Sequence, residues 1–285
     1  GSKSRKRGRT VLYSVIIALV SLAVLLILLY DSNYNLDAEE FVFIAEDLDP
    51  EFDGFRIVHL SDLHGARFGK DNSRLLNLIR DARPDIIVIT GDIVENRNDI
   101  PDLDKPASDI AAIALTYYVP GNHEYATRKD GAIFNILREA GITVLRNQSA
   151  MITRGEGEIM ILGIDDPSGR ADMMKMEEVY KLARSKTDSF ILTLSHRYDR
   201  FEEYAELGMP LVLTGHAHGG LIRLPFTDGI VGPGRVLFPK FTNGLYQKGN
   251  TTMIASRGLG NASFSLRLFN RPHVPIITLK CADKK

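Results

Sequence analysis

Five short polar motifs, each at the end of an apolar run, hold the residues best equipped for chemistry: Asp62-Leu63-His64, Gly91-Asp92, Gly121-Asn122-His123-Glu124, Ser195-His196 and Gly215-His216-Ala217-His218. Asp62, His64, Asp92, Asn122, His196, His216 and His218 offer carboxylate, imidazole and carboxamide donors, and His123 is a further histidine beside them. A donor set without thiolate suits two divalent cations of the manganese, iron or zinc type rather than a soft metal. Two such cations a few ångströms apart would lower the pKa of a shared water from about 15.7 towards ~7. Their positive charge would exceed that of the ligand carboxylates, so the site would attract an anion. The chemistry such a set serves is hydrolysis of a phosphoester.

The spacings have physical uses. Asp62 and His64 lie two apart, so on an extended chain both side chains point to one side and can share a cation; His216 and His218 repeat the pattern around the small Ala217. Glycines precede Asp92, Asn122 and His216, which suits tight turns with backbone close to a metal or phosphate. Taken singly each motif is ordinary: Gly-Asp after a strand is turn material, and Asn122 has the chemistry of a helix N-cap. The specificity lies in the ordered set.

These motifs need elements that deliver them to one place. Phe55 to Leu60, Ile86 to Thr90, Thr116 to Val119, Phe190 to Leu194 and Leu211 to Thr214 read as strands. Between them Asn72 to Ala82, Ser108 to Leu115, Gly131 to Ala140, Met173 to Arg184 and Phe201 to Leu207 read as helices. Strand and helix in alternation predict crossover units and a largely parallel sheet, whose ligands bind beyond the carboxyl ends of the strands. All the motifs sit at such ends. Ala150 to Ile164 reads as a strand pair around Arg154-Gly155-Glu156-Gly157. From Gly219 onward, short β-prone pieces predict hairpin strands completing a second sheet: Leu221 to Leu224, Arg235 to Phe238, Thr251 to Ser256, Phe264 to Phe269 and Val274 to Lys280.

Lys and Arg total 35 against 36 Asp and Glu, so no global basic field points to nucleic acid. The single cysteine, Cys281, excludes an internal disulfide and cysteine-rich zinc motifs. Lys3, Arg5, Lys6, Arg7 and Arg9 precede an uncharged stretch from Val11 to Tyr30. A hydrocarbon core of ~30 Å needs about 20 helical residues, which this stretch supplies as an uncleaved anchor. The basic flank predicts a cytoplasmic tail over residues 1–10 and an extracytoplasmic chain after Tyr30. Acidic residues 31–40 read as a linker, and 41–285 as the catalytic domain.

In their order the motifs strongly resemble those of the calcineurin-like metallophosphoesterases. Leu213-Thr-Gly-His-Ala-His-Gly-Gly-Leu221 and Ser256-Arg-Gly-Leu-Gly260 are similar to stretches of that family's membrane-anchored bacterial branch, and the resemblance runs from Gly54 to Lys280. It implies an α/β fold, a four-layer α/β/β/α sandwich of two mixed sheets flanked by helices, here behind one transmembrane helix. It assigns Asp62, His64, Asp92 and His218 to one metal and Asp92, Asn122, His196 and His216 to the other, with Asp92 bridging. It makes His123 the histidine that donates to the phosphate or leaving oxygen while a metal-bridging hydroxide attacks, with Glu124 orienting or charging it. The anchor then implies a membrane partner and a phosphorylated, lipid-linked or cell-envelope substrate. Some members of the branch cleave the pyrophosphate of a nucleotide-activated acylated sugar, a cytoplasmic-face reaction opposed to the topology read from the basic flank. Some relatives are nucleases, but nothing basic and aromatic flanks these motifs to track a nucleic-acid backbone. A non-catalytic membrane scaffold would not need the complete ligand set.

Other residues have plainer readings. His59, inside an apolar strand, reads as a core histidine, and His273 has nothing to pair with in sequence. Asp165-Asp166-Pro167 reads first as a turn. Arg67 and Arg197 closely follow metal ligands and are candidates to clamp a second phosphate, although solvated loop charge is the blander account. Phe238 to Tyr246 reads as a packed hairpin with an alternative role on lipid headgroups.

Overall fold

The computed structural model describes residues 2–169, 174–224, 229–262 and 266–282. Helix α1 (Ser2–Tyr34) leads to β1 (Asp37–Ala45), β2 (Arg56–Leu60), α2 (Ser73–Ala82), β3 (Ile86–Thr90), α3 (Asp104–Ala111) and β4 (Leu115–Val119). Then follow α4 (Asn122–Ala126), α5 (Asp130–Glu139), β5 (Thr143–Val144), β6 (Gln148–Arg154), β7 (Gly157–Gly163), α6 (Met176–Arg184) and β8 (Phe190–Arg197). The remainder is α7 (Phe201–Glu206), β9 (Leu211–Gly215), β10 (Gly244–Lys248), β11 (Thr251–Ala255) and β12 (His273–Cys281).

The strands form two mixed sheets, ordered β1-β12-β2-β3-β4-β5 and β10-β11-β9-β8-β7-β6. Alternation along each strand decides the layers, because successive side chains point to opposite faces. In β3, Ile86 and Val88 pack between the sheets, while Ile87 and Ile89 pack outward beneath Leu75, Ile79, Ile133 and Leu137 of α2 and α5. In the second sheet Leu192, Leu211 and Leu213 meet the first, while Ile191 and Val212 lie under Val179 and Tyr204 of α6 and α7. The protein is thus the four-layer α/β/β/α sandwich expected from the motifs.

Departures from the predicted elements have local causes. Helix α3 starts at Asp104, not Ser108, with Pro106 in its first turn where a missing N–H costs nothing. Helix α1 continues to Tyr34 and β1 begins at Asp37, so the acidic segment read as a linker is divided between helix and strand. β1 is an edge strand pairing in parallel with β12; Asp37 and Glu39 share a face with Phe41 and Phe43, and the two phenylalanines pack on the inter-sheet core. Leu221 to Leu224 and Arg235 to Phe238 form only isolated bridges, Ile222 with Leu268, Arg223 with Gly229 and Val231 with Leu237. Phe264 at the start of the predicted 264–269 strand, and Met173 at the start of the predicted α6, lie outside the described residues.

Candidate metal centre

The parallel neighbours β2, β3 and β4 of one sheet and β8 and β9 of the other end at the same edge of the sandwich, and their ends carry the motifs. Asp62 and His64 follow β2, Asp92 follows β3, Asn122 opens α4 after β4, and His216 follows β9. His196 lies inside β8, where a shift of register between Leu194 and Arg197 re-aims the chain. The paired motifs do not use strand alternation. Asp62, His64, Asp92, His216 and His218 all adopt left-handed backbone, with φ of 52, 47, 51, 64 and 48°. Each such conformer costs a non-glycine residue on the order of 1 kcal/mol, so the packed strand ends must impose it. Gly91, with φ 85°, and Gly121 let two of these loops touch: a Cβ on Gly91 would stand 2.5 Å from the Gly121 nitrogen, and one on Gly121 would collide with Asp92 Oδ1.

Two nests of ligand atoms result. In one, His64 Nε2 lies 3.2 Å from His218 Nε2, and His218 Nε2 lies 3.4 Å from Asp62 Oδ1. In the other, His196 Nε2 lies 3.0 Å from His216 Nδ1 and 3.2 Å from Asn122 Oδ1. Asp92 Oδ2 belongs to both, 3.7 Å from His64 Nε2 and 3.2 Å from His196 Nε2. Buried ring nitrogens facing one another and a shared carboxylate oxygen are the arrangement of cation ligands. The residues therefore fit divalent metal, and the absence of sulfur suits manganese, iron or zinc.

The outer atoms of the ligands are held in turn. His196 Nδ1 lies 2.7 Å from the Thr90 carbonyl, so Nδ1 donates and the Nε2 lone pair faces the nest. Asp62 Oδ2 accepts from Ser61 Oγ at 2.6 Å and from the His216 N–H at 3.0 Å. Thr90 Oγ1 donates to Ser61 Oγ at 2.8 Å and meets His59 Nε2 at 2.7 Å, so the buried His59 ends a hydrogen-bond chain leading to Asp62. His273 also has a partner, Glu39 of β1, at 3.0 Å.

Electrostatics follow from burial among opposed charges. Burial alone would push the Asp92 carboxyl up, but His196 and His64 beside it hold it far below its usual range. Burial likewise disfavours charge on His196, yet Asp92 and Asp62 push it up to about 10. A divalent cation would compete for that nitrogen with the proton. His216 is lowered to about 2 by burial and by the charges of His196 and Arg197, and burial with His64 and Arg267 lowers His218 well below its usual value. Both rings are neutral and offer lone pairs.

The structure separates His123 from Glu124. The His123 ring is 24 % exposed, stands at 87° to the His64 ring with centroids 4.7 Å apart, and puts Nδ1 3.2 Å from Glu95 Oε2. This leaves Nε2 as the ring nitrogen not committed to Glu95. Glu124, expected to orient that ring, lies beneath the loops instead. Its carboxylate accepts from the N–H groups of Gly121 at 2.7 Å, Asp92 at 2.9 Å and Ile93 at 2.8 Å. The carboxylate beside His123 is Glu95, whose Oε2 is also 2.6 Å from His64 Nδ1. Its one sequence signal is its place three residues after Asp92.

The two arginines differ. Arg67 is exposed and pairs with Asp102 at 3.0 Å. Arg197 is fixed in the wall of the site: Nε and Nη2 donate to Asp166 at 2.6 and 3.1 Å, and Nη1 lies 2.9 Å from His216 Nε2. Asp166 thus anchors Arg197, while Asp165 accepts from Arg146 Nε at 3.0 Å and from the Tyr125 hydroxyl. The Asp-Asp-Pro segment does more than turn the chain.

Comparison with known proteins agrees with this geometry. The model of the calcineurin-like phosphoesterase family matches residues 55–220. The uncharacterised metallophosphoesterase YkuE of Bacillus subtilis is 31% identical over 246 residues, covering 81% of this chain and 81% of YkuE. The phosphodiesterase YaeI of Escherichia coli is 31% identical over 237 residues, 79% of this chain and 82% of YaeI. A transmembrane protein with a metallophosphoesterase domain from Danio rerio is 28% identical over 84% of this chain, which spans 56% of that protein.

Proposed function

The chain belongs to the calcineurin-like phosphoesterase family and is a metal-dependent phosphoric ester hydrolase, and from that premise we propose a two-metal enzyme anchored in a membrane and acting on a lipid-linked or cell-envelope phosphoester. One observation carries the two-metal reading: Asp92 Oδ2 is within 3.7 Å of His64 Nε2 and 3.2 Å of His196 Nε2, so a single oxygen serves both nests. Asp62, His64, Asp92 and His218 would hold one cation, and Asp92, Asn122, His196 and His216 the other. Manganese, iron or zinc bound there supplies Lewis-acid polarisation of phosphoryl oxygens and an acidic water at neutral pH.

The chain's own residues then divide the remaining work. His123 presents Nε2 to the cleft and gives its proton to the leaving alkoxide, while Glu95 at Nδ1 fixes the ring. Glu124 ties the Asp92 loop to the Gly121 loop and so keeps His123 in register with the ligands. Arg197, held by Asp166, adds fixed positive charge beside His216 that favours an anionic substrate. Arg67 is further along the surface and remains a candidate contact for a distal substrate group.

Membrane anchorage is supported by Arg7–Tyr34 of α1, 28 residues long with an 18-residue window of mean hydropathy 3.0 that is 0% buried by the rest of the protein. The basic residues before Val11 favour a catalytic domain on the extracytoplasmic face. The experiment is metal analysis of the purified chain together with hydrolysis of bis(4-nitrophenyl) phosphate with and without manganese. Bound metal and metal-dependent turnover are expected; a chain with neither overturns the reading.

A further inference from the structure

A groove of about 610 Å³ lies between the end of α1 and the loop that carries His64. Leu29, Tyr30 and Tyr34 of the helix form one wall, and Phe68, Leu259 and Leu266 line the other. His64 and Arg67 also line it, so it connects the foot of the helix with a metal-ligating residue. We propose that this groove holds the apolar chain of a membrane lipid whose phosphoester is the substrate, so that the lipid is hydrolysed while still seated in the bilayer. The proposal rests on the phosphoesterase reading above and narrows its substrate to a lipid that enters sideways, along α1.

Depth supports this occupant. The uncharged stretch Val11 to Tyr30 matches a hydrocarbon core of ~30 Å, which sets Leu29 and Tyr30 at the interface where lipid phosphates lie. Tyrosine is at home at that level. From Leu29 to Tyr34 the helix climbs only about 7 to 8 Å, at 1.5 Å per residue, so the groove begins at headgroup depth. Its size is that of a pocket for a small ligand, about 300 to 1,000 Å³.

The helix is also fixed to the domain where the groove forms. Asn33 Nδ2 donates to the Arg267 carbonyl at 3.1 Å, Asn261 Nδ2 donates to Asn33 Oδ1 at 2.9 Å, and the Phe269 N–H donates to Ser32 Oγ at 2.9 Å. Arg271 closes the set with a pair to Asp31 at 2.7 Å. Arg267, fully buried, donates from Nε to Asn261 Oδ1 at 2.6 Å and places Nη2 3.4 Å from His218 Nδ1. The exit point of the helix and the metal centre are therefore held at one separation. Tyr30 and Leu266 nevertheless keep 60% and 54% of their surface exposed beside the groove. Large apolar side chains open to water at that level fit lipid contact.

The test uses the full chain in vesicles of phosphatidylethanolamine and phosphatidylglycerol, with a dodecylphosphonate bearing a terminal diazirine as probe. Photolabelling is expected in peptides containing Leu29 to Tyr34 and Leu266, reduced at least fivefold by excess dodecyl phosphate and by Leu266→Trp, which fills the groove. Labelling spread evenly along α1, labelling indifferent to Leu266→Trp, or crosslinks between two copies of the chain through α1 would overturn the proposal. In parallel, the kcat/KM of dodecyl over methyl 4-nitrophenyl phosphate should exceed tenfold in the wild type and fall in Leu266→Trp. Failure of the phosphoesterase reading appears elsewhere, as no metal-dependent hydrolysis of the methyl ester, and leaves the labelling result standing.

Discussion

Glu95 and His64 meet at 2.6 Å, Oε2 to Nδ1, and the same carboxylate oxygen stands 3.2 Å from Nδ1 of His123. One carboxylate thereby supports a proposed metal ligand and the proposed acid together. Partners of this kind behind a ligand commonly account for tenfold to hundredfold in affinity or activity. Glu95→Gln keeps the shape and removes the charge. We expect roughly tenfold weaker metal binding and a larger fall in kcat, read by metal titration and by steady-state hydrolysis of bis(4-nitrophenyl) phosphate. Unchanged values for both would remove Glu95 from the site.

His123 and Asp92 separate binding from turnover. The His123 side chain meets Glu95, and its backbone N–H donates to Asp92 Oδ1 at 2.8 Å, a bond that survives loss of the ring. His123→Ala should retain metal and lose about 10² to 10⁴ in kcat, the usual worth of a positioned acid. Asp92→Asn should lose both, because the oxygen shared by the two nests no longer carries charge. Normal activity in Asp92→Asn would sink the two-metal reading.

Glu124 answers to a different assay. Its oxygens accept backbone N–H groups from Gly121, Asp92 and Ile93, and it is fully buried. In Glu124→Gln one carboxylate oxygen becomes a donor facing a donor, at a cost of about 1 to 3 kcal/mol for each N–H left unpaired. Lower melting temperature and weaker metal retention are expected. A kcat loss at full metal occupancy and unchanged stability would instead return Glu124 to the role of orienting His123.

Why these roles were unequally visible in the sequence is a matter of how each residue is specified. Asp62, Asp92, Asn122 and the histidines of the two nests stand at or near strand ends, and continuous apolar runs of strand length announce strand ends well. The left-handed turns at Asp62 and His216 were hidden, because there the packing of neighbouring loops overrides local preference. Glu95 follows a ligand motif without any pairing of its own in sequence, and only the fold brings it to His64 and His123. β1 is masked in the sequence because Glu39 and Glu40 put charge on both of its faces; Glu39 is matched by Arg257 and by His273, which β12 carries to it from the far end of the chain. Among the described residues between Gly219 and Lys240, the β-prone pieces are too interrupted by Gly and Pro to form ladders, and they close as single bridges.

The buried histidines away from the ligand nests make stability fall in acid. His59 is fully buried, and burial together with the charge of His273 lowers its pKa to about 3 from the ordinary 6.5; burial lowers His273 to about 4. Above pH 6.5 both states of the chain leave these rings neutral, and the native state loses nothing. As pH falls below 6.5 the unfolded chain takes up a proton that folded His59 refuses until about pH 3, so unfolding is favoured throughout that window. At pH 5 the gap is about 1.5 pH units, or about 2 kcal/mol for His59, and His273 acts in the same direction. His59→Asn should therefore lose about 2 kcal/mol less between pH 7 and pH 5 than the wild type, measured by denaturant unfolding at the two pH values. The metal ligands are common to both chains and cancel in the difference. Equal losses in the two chains would mean that His59 is protonated in the fold.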